Sequence, residues 1–249
     1  MNYQAQDQIE LIEADAVQWL ETEAQERPEQ FDLIITDPPY WTLNKWRNIG
    51  TTTRLGGHRN KDEQDDSKWF ETIDQDDLWN VMMAFDNLLK NNGHLYIFCD
   101  EEVSDILKGW FYSGELCFDY CKRLIWDKVD AGMGYHWRAT YEFIVMFEKG
   151  KRRLNNLGLK DVLHHKRVQG KNKYPTEKPY SIIEELILNS TNEGDRVLDP
   201  FCGSGVVGDV CLQNKRFATL IDKSPRAMEW SIKRIFADKA PPQLELVTA

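Results

Sequence analysis

Two apolar runs in this chain end in the same way. Phe31-Asp32-Leu33-Ile34-Ile35-Thr36 stops at Asp37-Pro38-Pro39-Tyr40, and Arg196-Val197-Leu198 stops at Asp199-Pro200-Phe201-Cys202-Gly203-Ser204-Gly205. Short, bounded apolar runs of this kind read as buried strands. Proline fixes φ and has no N–H to give a sheet ladder, so each run must leave its sheet at the aspartate. Two strands that each leave a carboxylate just past their end, the second opening a glycine loop, suggest two halves of one site.

The rest of the chain alternates in the same manner. Ile9-Glu10-Leu11-Ile12 reads as a strand leading to Asp15 and a helix carrying Val17 and Leu20. Leu78, Val81, Met82, Phe85, Leu88 and Leu89 fall at helical spacing, and Asn91-Asn92-Gly93 is expected to end that helix before the strand His94–Cys99. A helix with Val103, Ile106, Leu107, Trp110 and Phe111 on one face follows, then strands at about 123–126 and 143–147. A helix from about Pro179 to Asn189, one after Gly205, the strand Ala218–Ile221 and a final helix complete the pattern. Ser224 as N-cap and Pro225 in the first turn mark the start of that last helix. Strands alternating with helices predict an α/β fold, a mostly parallel sheet covered on both faces. Ligands in such folds bind beyond the carboxyl ends of the strands. Asp15, Asp37, Asp199 and Asp222 all stand just after predicted strands, so four acids are expected on one rim.

A chain of 249 residues suffices for one such domain with small insertions. It has no apolar stretch of about 18 residues and no charged-then-apolar start, so a soluble, cytoplasmic protein is expected, with no membrane partner. The five cysteines lack metal-ligand spacing; reduced thiols and no metal are the expectation. A net charge of −10 argues against indiscriminate nucleic-acid binding. Its distribution is uneven, however. Between Lys151 and Lys173 stand eight Lys or Arg residues and a single acid, Asp161. A basic segment on an acidic body can grip phosphate at one place only. A polar stretch from about Trp41 to Asp74 is long for a loop, and long loops are usually functional or mobile.

Gly203-Ser204-Gly205-Val206-Val207-Gly208 matches the G-x-G-x-x-G pattern, with Asp222 nearly twenty residues later. By itself the motif fits a nicotinamide cofactor, an adenosine cofactor without pyrophosphate, or a plain strand–turn–helix. Its neighbours are more specific. Asp199-Pro200-Phe201 before the glycines, Tyr174-Pro175-Thr176-Glu177-Lys178-Pro179 upstream, and Asp37-Pro38-Pro39-Tyr40 together resemble the S-adenosylmethionine-dependent amino-methyltransferases of DNA. The catalytic motif precedes the donor motif, as in the permuted beta class. Too little chain follows the final helix for another strand–helix unit, so the strand beside Ala218–Ile221 is placed at Ile9–Ile12.

The resemblance implies a Rossmann-like methyltransferase fold, a single catalytic domain over 1–249, and S-adenosylmethionine as cofactor. It implies that Phe201, Gly203 and Gly205 line the cofactor, with Asp199 at the start of that loop. It further implies that Asp222 takes the ribose hydroxyls, that Asp15 lies near the adenine amino group, and that Thr176 and Lys178 contact the methionine end. Tyr174, Glu177, Val206-Val207 and Asp222 depart from the commonest family residues. Trp126-Asp127-Lys128 and Tyr141-Glu142-Phe143-Ile144 also look like family segments.

An exocyclic amino nitrogen is a poor nucleophile because its lone pair is delocalised into the base. Asp37 and the Pro38 carbonyl, as two acceptors for its N–H bonds, would free that lone pair, and Pro38-Pro39 would stiffen the rim of acceptors. Tyr40 would stack on a base extruded from the duplex, contributing about 1–3 kcal/mol. Arg47, Arg54 and Arg59, interleaved with Trp41, Trp46 and His58, would close on nucleic acid from a loop at about 41–75. Lys151, Arg152, Arg153, Lys166, Arg167 and Lys171 would hold phosphates from a second loop at about 150–174. Adenine N6 in DNA is the favoured target. Cytosine N4, RNA, and a non-catalytic nucleic-acid-binding module are the alternatives. A monomer or homodimer, with a restriction endonuclease as possible partner, completes the expectation.

Overall fold

The computed structural model describes residues 2–5, 8–43, 71–130, 136–169, 174, 176–236 and 244–245. Ten strands among them make one sheet: β1 (Asn2–Ala5), β2 (Ile9–Glu13), β3 (Phe31–Thr36), β4 (Leu89–Cys99), β5 (Tyr120–Asp127), β6 (Tyr141–Lys149), β7 (Val162–His164), β8 (Arg196–Asp199), β9 (Phe217–Asp222) and β10 (Leu244–Glu245). Their order is β10-β1-β2-β9-β8-β3-β4-β6-β5-β7. The central five, β2-β9-β8-β3-β4, are mutually parallel. β6 runs against both its neighbours, and β1 against β2. The expected α/β architecture is therefore present, with antiparallel pairs toward both edges.

The helices are α1 (Ala16–Glu26), α2 (Gln75–Leu88), α3 (Glu101–Tyr112), α4 (Tyr180–Ser190), α5 (Val206–Gln213) and α6 (Pro225–Phe236). They divide between the two faces, because strand side chains alternate. Leu33 and Ile35 of β3 share one core with Ile183 and Leu186 of α4, Val206 and Val210 of α5, and Met228 and Ile235 of α6. Ile34 points the other way, into a core with Leu20 of α1, Leu78 and Phe85 of α2, and Leu107 of α3. β3 is thus buried on both faces, which is why its sequence is a continuous apolar run rather than an alternating one.

From β8 the chain proceeds to β9 on one side, and from β3 to β4 on the other, with the connecting helices on opposite faces. The strand order reverses between β8 and β3. Both Asp-Pro segments leave the sheet there, so the switch point that ligands favour in such folds is where the two motifs meet. β2 lies parallel beside β9, with Ile9 opposite Ala218 and Ile12 opposite Ile221, as the permuted order requires.

Three details differ from the sequence reading. α2 ends at Leu88 rather than at the Asn-Asn-Gly, and Leu89 already belongs to β4. The Leu89 N–H bonds back to the Phe85 carbonyl while its backbone is extended, so the helix passes directly into the strand. β1, β7 and β10 have only four, three and two residues, too few for a periodicity to register. β7 forms in the middle of the basic segment by pairing with β5, Trp126 opposite Leu163.

Candidate active site

One cavity of about 800 Å³ opens over the carboxyl ends of β2, β9, β8, β3 and β4. Asp15, Asp37, Pro38, Pro39, Tyr40, Asp199, Phe201, Gly203, Asp222, Thr176 and Lys178 all line it. The two Asp-Pro segments thus face one space, and the four expected acids share its rim. Gly205 does not line it. Its φ of +73° turns the chain into α5, and an added Cβ would lie 2.7 Å from Ser231 Oγ, so it serves packing against α6.

Several lining acids have structural duties that fix their orientation. Asp15 caps α1, its Oδ1 accepting from Val17 N at 3.0 Å and Gln18 N at 3.3 Å. Asp222 Oδ2 accepts from Gly203 N at 3.0 Å and its Oδ1 from Ser224 N at 2.8 Å, tying the end of β9 to the glycine loop. Asp199 Oδ1 accepts from the Thr36 hydroxyl at 3.0 Å and Phe201 N at 3.2 Å, which joins β8 to β3 at the reversal. Burial pushes the Asp199 carboxyl up to about 7 despite these donors.

The Asp-Pro-Pro-Tyr segment is held rigidly. Tyr40 N donates to the Pro38 carbonyl at 3.0 Å, and Ile73 N donates to the Pro39 carbonyl at 2.8 Å. The Tyr40 hydroxyl donates to the Phe98 carbonyl at 3.1 Å, and its ring meets Trp41 edge-on at 6.4 Å. Only 3% of Tyr40 is exposed. It is therefore a fixed wall of the cavity and part of the core at once. The Pro38 carbonyl retains one lone pair beyond the bond from Tyr40.

Lys178 lines the cavity beside the Asp-Pro-Pro-Tyr segment. Its ammonium bonds Asp37 Oδ2 and lies 3.4 Å from Glu142 Oε2, with the Phe98 ring centroid 5.3 Å away. Glu142 Oε1 in turn receives the Lys128 ammonium at 2.5 Å. Two acids and two lysines thus alternate along the wall beside Asp37. Burial opposes the Lys178 charge, but Asp37 and Glu142 hold it firmly protonated. Burial likewise opposes ionisation of Glu142, and Lys178 and Lys128 outweigh it. For Asp37, burial raises the carboxyl above its ordinary range, and the Lys178 charge counters it only in part. Lys128 and Glu142 were visible in the sequence as strand-end segments, but nothing in their spacing shows that antiparallel pairing of β5 and β6 carries both to this cavity.

The basic residues do not form one cluster. Arg47, Arg54, Arg59 and Lys171 lie outside the described residues. Lys151, Arg152 and Arg153 follow β6, whose Lys149 is opposite Gly93 in the amino-terminal half of β4. They stand at the other rim of the sheet from the cavity, and Arg152 is paired there with Asp195 at 3.3 Å. The reversed direction of β6 thus sets Lys151, Arg152 and Arg153, expected as phosphate contacts, apart from the cavity. Lys166 and Arg167 follow β7, whose His164 is opposite Asp127 at the carboxyl end of β5. Both are exposed, on the cavity side.

The cavity chemistry tests the cofactor classes. Asp15, Asp199 and Asp222 ring its glycine-loop side, and the lysine there, Lys223, is paired with Asp15 at 3.5 Å and Glu71 at 2.6 Å. A pyrophosphate would meet carboxylates. An adenosine with hydroxyls and a cationic centre fits this acidic lining better than a pyrophosphate does.

Residues 31–234 match the DNA methylase family of N6/N4 enzymes. The chain is 27% identical to the type II methyltransferase M2.LlaDCHI of Lactococcus lactis subsp. cremoris, over 94% of this chain and 91% of that one. It is 25% identical to the DNA adenine methyltransferase YhdJ of Escherichia coli (strain K12), over 83% and 76%. Its fold resembles the crystal structure of an M1.HpyAVI–SAM complex, with a TM-score of 0.64 at 24% identity, covering 91% of this chain and 99% of that one.

Proposed function

The chain belongs to the DNA methylase family, whose members transfer a methyl group from S-adenosylmethionine to an amino group of a DNA base, and we propose that its target is adenine N6. The observation that carries this reading is the meeting of Asp37-Pro38-Pro39-Tyr40 and Asp199–Ser204 on one cavity. The similarity to a DNA adenine methyltransferase, along with Asp rather than Ser at the head of the motif, favours adenine over cytosine.

S-adenosylmethionine supplies a methyl group on a positively charged sulfur that leaves readily. We assign the glycine-loop side of the cavity, with Phe201, Gly203, Asp222 and Asp15, to holding it. Asp37 and the free lone pair of the Pro38 carbonyl accept the two N–H bonds of the target amino group and direct its lone pair toward the methyl. Positive charge that develops on that nitrogen falls next to the Asp37 carboxylate, so stabilisation is built in before the reaction. The Tyr40 ring, locked by its bond to Phe98, gives an extruded base a flat wall to lie against. Lys166 and Arg167 hold backbone phosphates on the same side. A cytoplasmic enzyme paired with a restriction endonuclease is the setting we infer from its type II relatives.

Incubating the protein with S-adenosylmethionine and separate DNA and RNA pools, then digesting to nucleosides for mass spectrometry, tests this directly. N6-methyladenine in DNA is expected. N4-methylcytosine alone, or methylation confined to RNA, would overturn the adenine reading. In the same assay Asp37→Ala should give no methylated nucleoside while still binding the cofactor, since Asp37 belongs to the base side of the cavity. Near-normal turnover by that variant would sink the mechanism.

A further inference from the structure

We propose that Glu142 is a positioning residue that takes Lys178 over from Asp37 as the target base enters. The inference rests on the amino-methyltransferase reading and concerns a step that the reading leaves open. As the structure stands, Asp37 is engaged by an ammonium group. A carboxylate neutralised in this way is a poor acceptor for a base amino group and a poor partner for positive charge on its nitrogen. Lys178 must loosen its hold before Asp37 can act.

The surroundings of Lys178 provide one alternative. Its ammonium is nearly buried, with 10% of the side chain exposed, so it cannot turn into water without a rearrangement of its wall. An unpaired buried ammonium costs several kcal/mol, which would pin Lys178 to Asp37 if no second anion were near. Glu142 Oε2 is that anion, already paired with the ammonium at 3.4 Å, a longer contact than the one to Asp37. The Phe98 ring lies beside the ammonium, an electron-rich surface along which a cation can shift at little cost. Lys128 holds the other oxygen of Glu142, and Glu142 is fixed in β6 opposite Trp126 of β5, so the receiving carboxylate stays in place.

Charge accounting explains the direction of the shift. Asp37, Lys178, Glu142 and Lys128 sum to zero, with each charge next to one of opposite sign. When the amino group donates to Asp37 and begins to carry positive charge, Asp37 acquires a new partner. Lys178 then pairs with Glu142, and repulsion between the ammonium and the reacting nitrogen is relieved. No proton or electron changes hands in this step; one ion pair replaces another.

Glu142→Gln tests the handover, measured as single-turnover methylation of a duplex target across pH. The substitution keeps the shape and removes the anion, so Lys178 should remain on Asp37. Cofactor affinity should be unchanged, which also verifies folding, and the plateau rate should drop about ten- to a hundredfold. Asp37 also loses a negative neighbour, so the acid limb of the profile should move to lower pH. A residue with only a structural role would lower the rate without moving that limb. In the Glu142→Gln background, Lys178→Met should restore part of the rate by releasing Asp37. Full rate and an unmoved limb in Glu142→Gln, or no recovery in the double variant, overturn the handover while leaving the enzyme's assignment intact. Failure of the unaltered protein to methylate any base overturns the assignment and the handover with it.

Discussion

Asp199 lies at the point where two distant parts of the chain touch, and its chemistry is set by burial. Its carboxyl is pushed up to about 7 in the fold, whereas in the unfolded chain it stays near 3.8. A group whose pKa rises on folding favours the native state most below the unfolded value, and that advantage disappears as pH rises through the folded value. Asp199 therefore weakens the fold increasingly between about pH 4 and pH 7. Asparagine keeps an acceptor for the Thr36 hydroxyl and Phe201 N but never ionises. Asp199→Asn should gain stability relative to the unaltered protein, by about 2–4 kcal/mol at pH 8 and far less at pH 4.5. Urea midpoints at both pH values would show this; a gap independent of pH would contradict it. Such single-residue facts divide sharply in how far the sequence discloses them. Asp37 and Asp199 were legible because proline follows each and an apolar run precedes each. The partners of Lys178 were not, because its two carboxylates come from β3 and β6, more than thirty residues away in sequence.

Two helical glycines show how packing decides what propensity alone would leave open. Gly109 of α3 is exposed, and an added Cβ there would meet nothing within 4 Å. Gly109→Ala should stabilise the protein by about 0.5–1 kcal/mol, the ordinary helix preference of alanine. Gly208 of α5 is buried, and its added Cβ would lie 2.4 Å from Leu220 Cδ1 and 2.8 Å from Ile235 Cδ1. Overpacking costs about 1–3 kcal/mol, more than the propensity gain, so Gly208→Ala should destabilise. Chemical denaturation of both variants should give opposite signs, and the same sign in both would refute the packing account. Element type was readable wherever an apolar period ran for two turns or more, as in α2 and α3. β7 was not, because three residues carry no period and only pairing with β5 makes them a strand. Gly208 reads in the sequence as the last glycine of a cofactor motif, yet its position is dictated by Leu220 and Ile235.

Across the whole molecule, charge is distributed by strand direction. The basic stretch is continuous in sequence, but β6 delivers Lys151 and Arg153 to one rim and β7 delivers Lys166 and Arg167 to the other. Neutralising Lys166 and Arg167 should lower the salt dependence of duplex binding by about two in the slope of log affinity against log salt. The same change at Lys151 and Arg153 should leave that slope unaltered. Equal effects from both pairs, measured by fluorescence anisotropy over a salt series, would refute this geography. The permuted order was legible because Asp37-Pro38-Pro39-Tyr40 precedes the glycine loop and Ile9–Ile12 offered a strand to lie beside β9. Which loop faces the cavity was not, since it depends on a reversal at β6 that no local pattern announces.

The pairing of β2 with β9 also sets a schedule for assembly. Ile9 and Ala218 are neighbours in the sheet but are separated by most of the chain. During synthesis Asp37 emerges well before Asp199, Gly203 and Asp222. The Asp-Pro-Pro-Tyr segment must wait, without its opposing wall, until β8 and β9 insert between β2 and β3. Contacts this remote in sequence form slowly, because a long loop must close before they reward it. The order that lets one cavity unite two motifs thus makes that cavity among the last parts of the molecule to exist.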